Sequence, residues 1–137
     1  MLGTFQTHAL RLRVPAQKDQ IKAAITHMDK VRQWASPQRF PLEIERLEEG
    51  TVFSSFTGPI EINHRVVHLS DDTMEFVLWG AIDGTSLWRW DDGWFQQQAQ
   101  GVTLVPLALA QTLFLHKLKN FLAAENQKNL EPQRGGG

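Results

Sequence analysis

What most constrains this chain is a series of turn signals. Glu49-Gly50, Gly58-Pro59, Asp71-Asp72, Asp83-Gly84 and Asp91-Asp92-Gly93 recur every 8 to 13 residues between residues 42 and 105. Glycine and aspartate at that spacing cut the chain into short extended segments, and such segments joined by tight turns form an antiparallel meander. The alternation inside the segments names the buried face. "IEINHRVVH" places Ile60, Ile62, His64, Val66 and His68 on one side, and "MEFVLW" does the same for Met74, Phe76 and Leu78.

The flanks carry other periods. From Thr4 to Val14 the residues Leu10, Leu12 and Val14 alternate with Arg11 and Arg13, a half-buried strand that Pro15 stops. Ile21, Ala24, Ile25 and Met28 then fall on one helical stripe, and a second short helix over about Lys30 to Ala35 carries Val31 and Trp34 before Pro37 and Pro41. After Pro106 a last helix, from Leu107 to about Ala124, is expected to turn Ala110, Leu113, Phe114, Leu118, Phe121 and Leu122 inward, with Thr112, His116 and Lys119 opposite. The order is one strand, two helices, about six strands and one long helix. That is an α+β arrangement of about seven antiparallel strands with the helices on one face of a curved sheet. Residues 1–125 form one domain, and the polar tail 126–137, ending in three glycines, is expected to be disordered.

Composition closes off several function classes. A chain of 137 residues with 42% hydrophobic and 21% charged content is one ordinary soluble domain. The absence of cysteine excludes disulfides, thiolate chemistry and sulfur-ligated metals, and fits a reducing compartment. No secretory pattern opens the chain, so a cytoplasmic location is expected. The longest apolar run, residues 102–110, contains Pro106 and is far shorter than the roughly 18 residues of a membrane span, so no integral membrane association is expected. Fourteen basic and fifteen acidic residues without a basic cluster argue against a nucleic-acid partner. Nothing in the sequence sets the oligomeric state.

Few residues offer chemistry. His64 and His68 share the predicted inner face, but four strand residues span about 13 Å, too far for one metal ion. His64 is therefore either a core histidine satisfied by neighbours or a polar contact to a ligand, and it is the one weak catalytic candidate. The turn carboxylates have local roles as backbone acceptors. No nucleophile elbow and no phosphate loop is present, so no cofactor and no metal is implied.

The segments "LRLRVPAQKDQIKAAITHMDKVRQWASPQRF", "LEEGTVFSSF" and "VPLALAQTLFLHKLKNFL", in this order over residues 4–125, resemble the START-like helix-grip superfamily (SRPBCC). It includes START lipid-transfer domains, the birch-pollen allergen family, bacterial polyketide cyclases and aromatases, and coenzyme-Q-binding proteins. The resemblance implies a hollow between a concave sheet and the C-terminal helix that takes an apolar or aromatic small molecule such as a lipid, a quinone or a polyketide-like compound. The expected ligand contacts are Trp34, Phe53, His64, Phe76, Trp88, Trp90 and Leu113, with Leu113 and Phe114 as a lid. A binding or transport role is the leading expectation, with the chain leaning away from being an enzyme. The alternatives are a polyketide cyclase or dehydratase using His64, and a non-catalytic interaction module.

That last alternative turns on "SLWRWDDGWF". A three-residue Asp91-Asp92-Gly93 loop would align Trp88, Trp90 and Trp94 on one aromatic wall. A two-residue Asp92-Gly93 turn would oppose Trp90 to Phe95 and send Trp94 to the other face with Arg89. The three-residue loop is favoured because a type I turn followed by a glycine bulge suits Asp-Asp-Gly.

Overall fold

A computed structural model describes residues 3–135, with side chains for residues 3–128. Strand β1 (Thr4–Arg13) is followed by helices α1 (Lys18–Thr26) and α2 (Met28–Trp34). Strands β2 (Val52–Thr57), β3 (Ile60–Leu69), β4 (Thr73–Gly80), β5 (Ile82–Asp91) and β6 (Trp94–Thr103) come next, and α3 (Leu107–Gly135) closes the chain. The strands form a single curved antiparallel sheet in the order β1-β6-β5-β4-β3-β2, a meander whose last strand pairs with the first. The sheet wraps around α3, with α1 and α2 packed at its side. This is the helix-grip arrangement expected from the sequence.

Two expectations change: one turn moves, and the strand count is six rather than about seven. Asp83-Gly84 is not a turn. The chain reverses three residues earlier, at Gly80, whose φ of 97° only glycine adopts easily, and Asp83 and Gly84 continue along β5. Gly84 instead faces Gly101 across the β5–β6 ladder, where a Cβ on Gly84 would lie 1.9 Å from the Gln100 carbonyl oxygen. The dipeptide read as a turn permits a close backbone approach. The segment ahead of Gly50 is also not a strand: within residues 39–48 only Arg39 and Arg46 make isolated bridges, to Phe56 and His27.

Helix α3 begins at Leu107 as expected but runs past Ala124 to Gly135. Good helix formers at Ala123, Ala124, Glu125, Gln127 and Lys128 carry it beyond its apolar stripe. The helix is described as far as Gly135, and residues 136 and 137 lie outside the described ones. Its inward face also differs. Leu107, Gln111, Leu115, Leu118 and Leu122 are buried, whereas Ala110 and Leu113 face solvent. The displaced stripe centres on a polar residue, Gln111. Its amide nitrogen donates to the His8 carbonyl (3.2 Å) and the Gln97 carbonyl (3.4 Å), and its oxygen meets His8 Nδ1.

The β5–β6 approach yields a prediction. Gly84→Ala would drive a methyl group into backbone and should cost about 3 kcal/mol or more in urea unfolding, in the upper range for overpacking. Gly58→Ala, at φ 58° in open space, should cost only about 1 kcal/mol.

Candidate functional site

Two aromatic groups divide the interior. The first lies under α3: the Trp34 and Phe114 rings meet edge-on at 4.7 Å, Trp88 meets Phe114 at 5.7 Å, and Trp88 stacks at 6.4 Å from Phe95. Both indole N–H groups here are satisfied by the framework, Trp34 donating to the Ala24 carbonyl (2.9 Å) and Trp88 to Ser86 Oγ (3.1 Å). Gln97 also donates to Ser86 Oγ, so one of the three consecutive glutamines faces inward, while Gln96 binds Arg11 on the outer face.

The second group lies toward the free edge of the sheet. Phe53 on β2 and His64 on β3 are cross-strand partners whose rings stack at 4.5 Å and 4°. Phe76 on β4 meets the imidazole edge-on at 5.6 Å and Phe53 at 6.3 Å. Phe40, from the segment after α2, closes on the other side of Phe53 at 6.1 Å. His64 Nδ1 is buried among these rings without a hydrogen-bond partner. Burial pushes the imidazole down from 6.5 to about 4, opposed in part by the backbone at Phe53 and Ile62, so the ring is neutral near pH 7. A neutral imidazole with one unsatisfied nitrogen can accept or donate one hydrogen bond according to its tautomer.

The remaining expected residues separate from this group. Trp34 and Trp88 join through Phe114 in the first group. Trp90, only 1% exposed, sits opposite Phe95, and its Nε1 has no partner. Leu113 is 58% exposed and lines no interior, whereas Phe114, one residue on, packs against Trp34 and Trp88. His68 leaves the inner face because the ladder slips at Val67: Val66 pairs with Phe76, but His68 pairs with Glu75. There His68 lies at the surface, 3.6 Å from Glu49. Inner positions that the sequence reading passed over are polar: Gln111, and Ser55, which is 1% exposed and accepts from Gln38 Nε2 (2.8 Å). The helical spacing Leu107, Gln111, Leu115, Leu118, Leu122 was the available signal for Gln111.

The hairpin takes the two-residue form. Asp91 pairs with Trp94 and Trp90 with Phe95, so the favoured three-residue loop is replaced by an Asp92-Gly93 turn with Gly93 at φ 83°. The aromatic wall is therefore split: Trp88 and Trp90 are buried, and Trp94 lies on the outer face with Arg11 stacked 4.1 Å over its ring. An exposed tryptophan patch is not what this hairpin presents.

One cleft adjoins the second group, about 540 Å³ between the 39–44 segment and β2, with Phe53 in its wall. A larger dish of about 910 Å³ beside Val14–Gln20 and the hairpin tip opens to solvent, away from the expected site residues.

No family model matches the chain and no curated protein matches it. Solved structures do. CalU16 from Micromonospora echinospora superposes with a TM-score of 0.65 at 15% identity, covering 95% of this chain and 83% of that one. The likeness is one of fold. DynU16, from the dynemicin biosynthetic locus, gives 0.65 at 16% identity over 85% of this chain, which spans only 47% of DynU16. The Aha1 dimer from Colwellia psychrerythraea gives 0.69 at 13% identity, with 85% and 96% covered. Among the described residues no helix is long and apolar enough to cross a membrane.

The burial of His64 makes stability depend on pH. Between about pH 6.5 and about pH 4 the unfolded chain protonates this ring while the folded protein does not, so stability is fully present above that window and falls as pH drops through it. At about pH 4.5 the loss from this group should approach 2 to 3 kcal/mol. Urea titrations of the wild type and His64→Phe at neutral and acid pH would show it as a steeper acid loss in the wild type. Parallel losses would mean that the imidazole is solvated.

Proposed function

We propose that the protein binds a small, largely apolar molecule carrying an aromatic ring and one hydrogen-bonding group, held where Phe53, His64 and Phe76 meet. The observation that carries this reading is the unsatisfied Nδ1 of His64 against the rings of Phe53 and Phe76. A buried polar atom without a partner is costly, and one set in an apolar ring cage fits a ligand hydroxyl or carbonyl. Trp34, Trp88 and Phe114 bound the same interior and would repack around a larger ligand. Among the neighbours, DynU16 comes from the dynemicin biosynthetic locus, and a small-molecule ligand is in keeping with that setting.

The acid-base alternative has one observation in its favour, that the imidazole is neutral near pH 7, but burial that holds it at about 4 makes it a weaker base than a free imidazole. Against it, Phe53 and Phe76 bring no second ionisable group against the ring.

Tryptophan emission reports on ligands in this interior, and 2-naphthol, a quinone and a flavonoid make a suitable panel. At least one member should change the emission saturably, and His64→Ala should weaken it about tenfold, the value of one hydrogen bond to a buried group. Unchanged emission across the panel, with no co-purified mass in native mass spectrometry, would overturn the reading. A turnover of any panel member that survives His64→Ala would exclude His64 as an acid-base group.

A further inference from the structure

The missing seventh strand leaves a specific opening. Arg39 and Phe56 exchange both backbone hydrogen bonds, Arg39 N–H to the Phe56 carbonyl at 2.7 Å and Phe56 N–H to the Arg39 carbonyl at 3.0 Å. This is an antiparallel pair at the free edge of β2. In the same register residue 41 would face residue 54, and residue 43 would face residue 52. The ladder stops there for two reasons. Pro41 has no N–H to give, and its carbonyl, which would accept from Ser54, instead accepts from the Arg32 guanidinium on α2 at 3.2 Å. Arg32 also reaches the Ile44 carbonyl at 3.4 Å. The segment is thereby held away from the sheet edge, and the space between them is the cleft of about 540 Å³. Its inner wall is Phe53, whose other face covers His64.

We infer that this cleft is the ligand entrance, with Phe53 as its gate and Arg32 as the latch that holds it open, and that it admits flat aromatic molecules bearing a hydroxyl or carbonyl group. The inference rests on the proposed site at His64 and adds the route to it. A rotation of Phe53 about χ1 would expose His64 Nδ1 to the cleft without moving a strand; the ring is 6% exposed and packed against Phe40, so the open form is a minor one. The cleft has the volume of a drug-sized site and apolar walls from Phe40, Pro41 and Ile44. A ring that leaves the cleft for the Phe53 position keeps stacking partners throughout.

Access to His64 can be read without knowing the ligand, using diethyl pyrocarbonate as the entering probe and peptide mass spectrometry to follow each histidine. His68 and His116 are exposed and serve as standards within the same molecule. Because the chain has no cysteine, Val52→Cys places one thiol in the cleft wall, at a position 54% exposed, for labelling with pyrene maleimide. Labelling should slow modification of His64 by about tenfold relative to the two standards, and Phe53→Ala should speed it by about fivefold, since reaction follows the population of the open form. A His64 ratio that stays within about twofold after labelling overturns the entrance, whatever Phe53→Ala does. If labelling blocks the probe but 2-naphthol never binds the unlabelled protein, the entrance stands and the binding reading fails. The labelled and unlabelled forms are the same variant, so a folding defect cannot imitate the result.

Discussion

The Gln111 amide sets the position of α3, and the interior follows from it. Buried under the helix, this side chain has to be satisfied, and the carbonyls of His8 and Gln97 together with the His8 ring do so from two adjacent strands. Bonds to both β6 and β1 fix the rotation of the helix as well as its distance. With Gln111 pointing down, Phe114 falls between Trp34 and Trp88, and Leu113 is turned to solvent. A purely apolar seam could slide or rotate at little cost, whereas an amide with three partners cannot.

Much of the fold could be read from alternation. Met74, Phe76 and Leu78 are buried as their spacing requires, and Ile21, Ala24, Ile25 and Met28 form the buried stripe of α1 and the start of α2. The failures have a common cause: a local signal was overridden by what lies across the sheet. Asp83-Gly84 has turn composition, but Gly84 is there because the Gln100 carbonyl leaves no room for a side chain. The extra residue at Val67 reverses the faces beyond it, and nothing in a single strand announces a bulge that its partner imposes. On the last helix Ala110 and Leu113 are expected inward and Gln111 is not, because a ranking by hydrophobicity passes over a buried glutamine.

For the candidate site, Phe53, His64 and Phe76 were legible because each lies on an inward phase of the ladder on the near side of the Val67 bulge, so their rings meet across the strands. Leu113 was not, since its placement depends on Gln111. Trp88 and Trp90 were correctly placed on one face, but their role depended on a turn of either two or three residues, and the difference between these lies in backbone angles more than in composition. The unpaired edge of β2 was hidden for a further reason. The segment that leaves it open is short and proline-interrupted, and the arginine that draws it away comes from α2.

The hairpin tip also has a consequence for how the chain folds. Helix α1 has only nine residues and no side-chain cap of its own; its Lys18 N–H is met by Asp92 Oδ1 at 2.7 Å, from 74 positions along the chain, while Gly93 exchanges backbone hydrogen bonds with Val14 and Ala16. A helix that short is marginal in water, so its first turn is completed only once the last hairpin has formed. Two parts of the domain far apart in sequence are thereby coupled into one cooperative unit: fraying of the β5–β6 turn would release the helix start, and no stable intermediate should retain α1 without that hairpin.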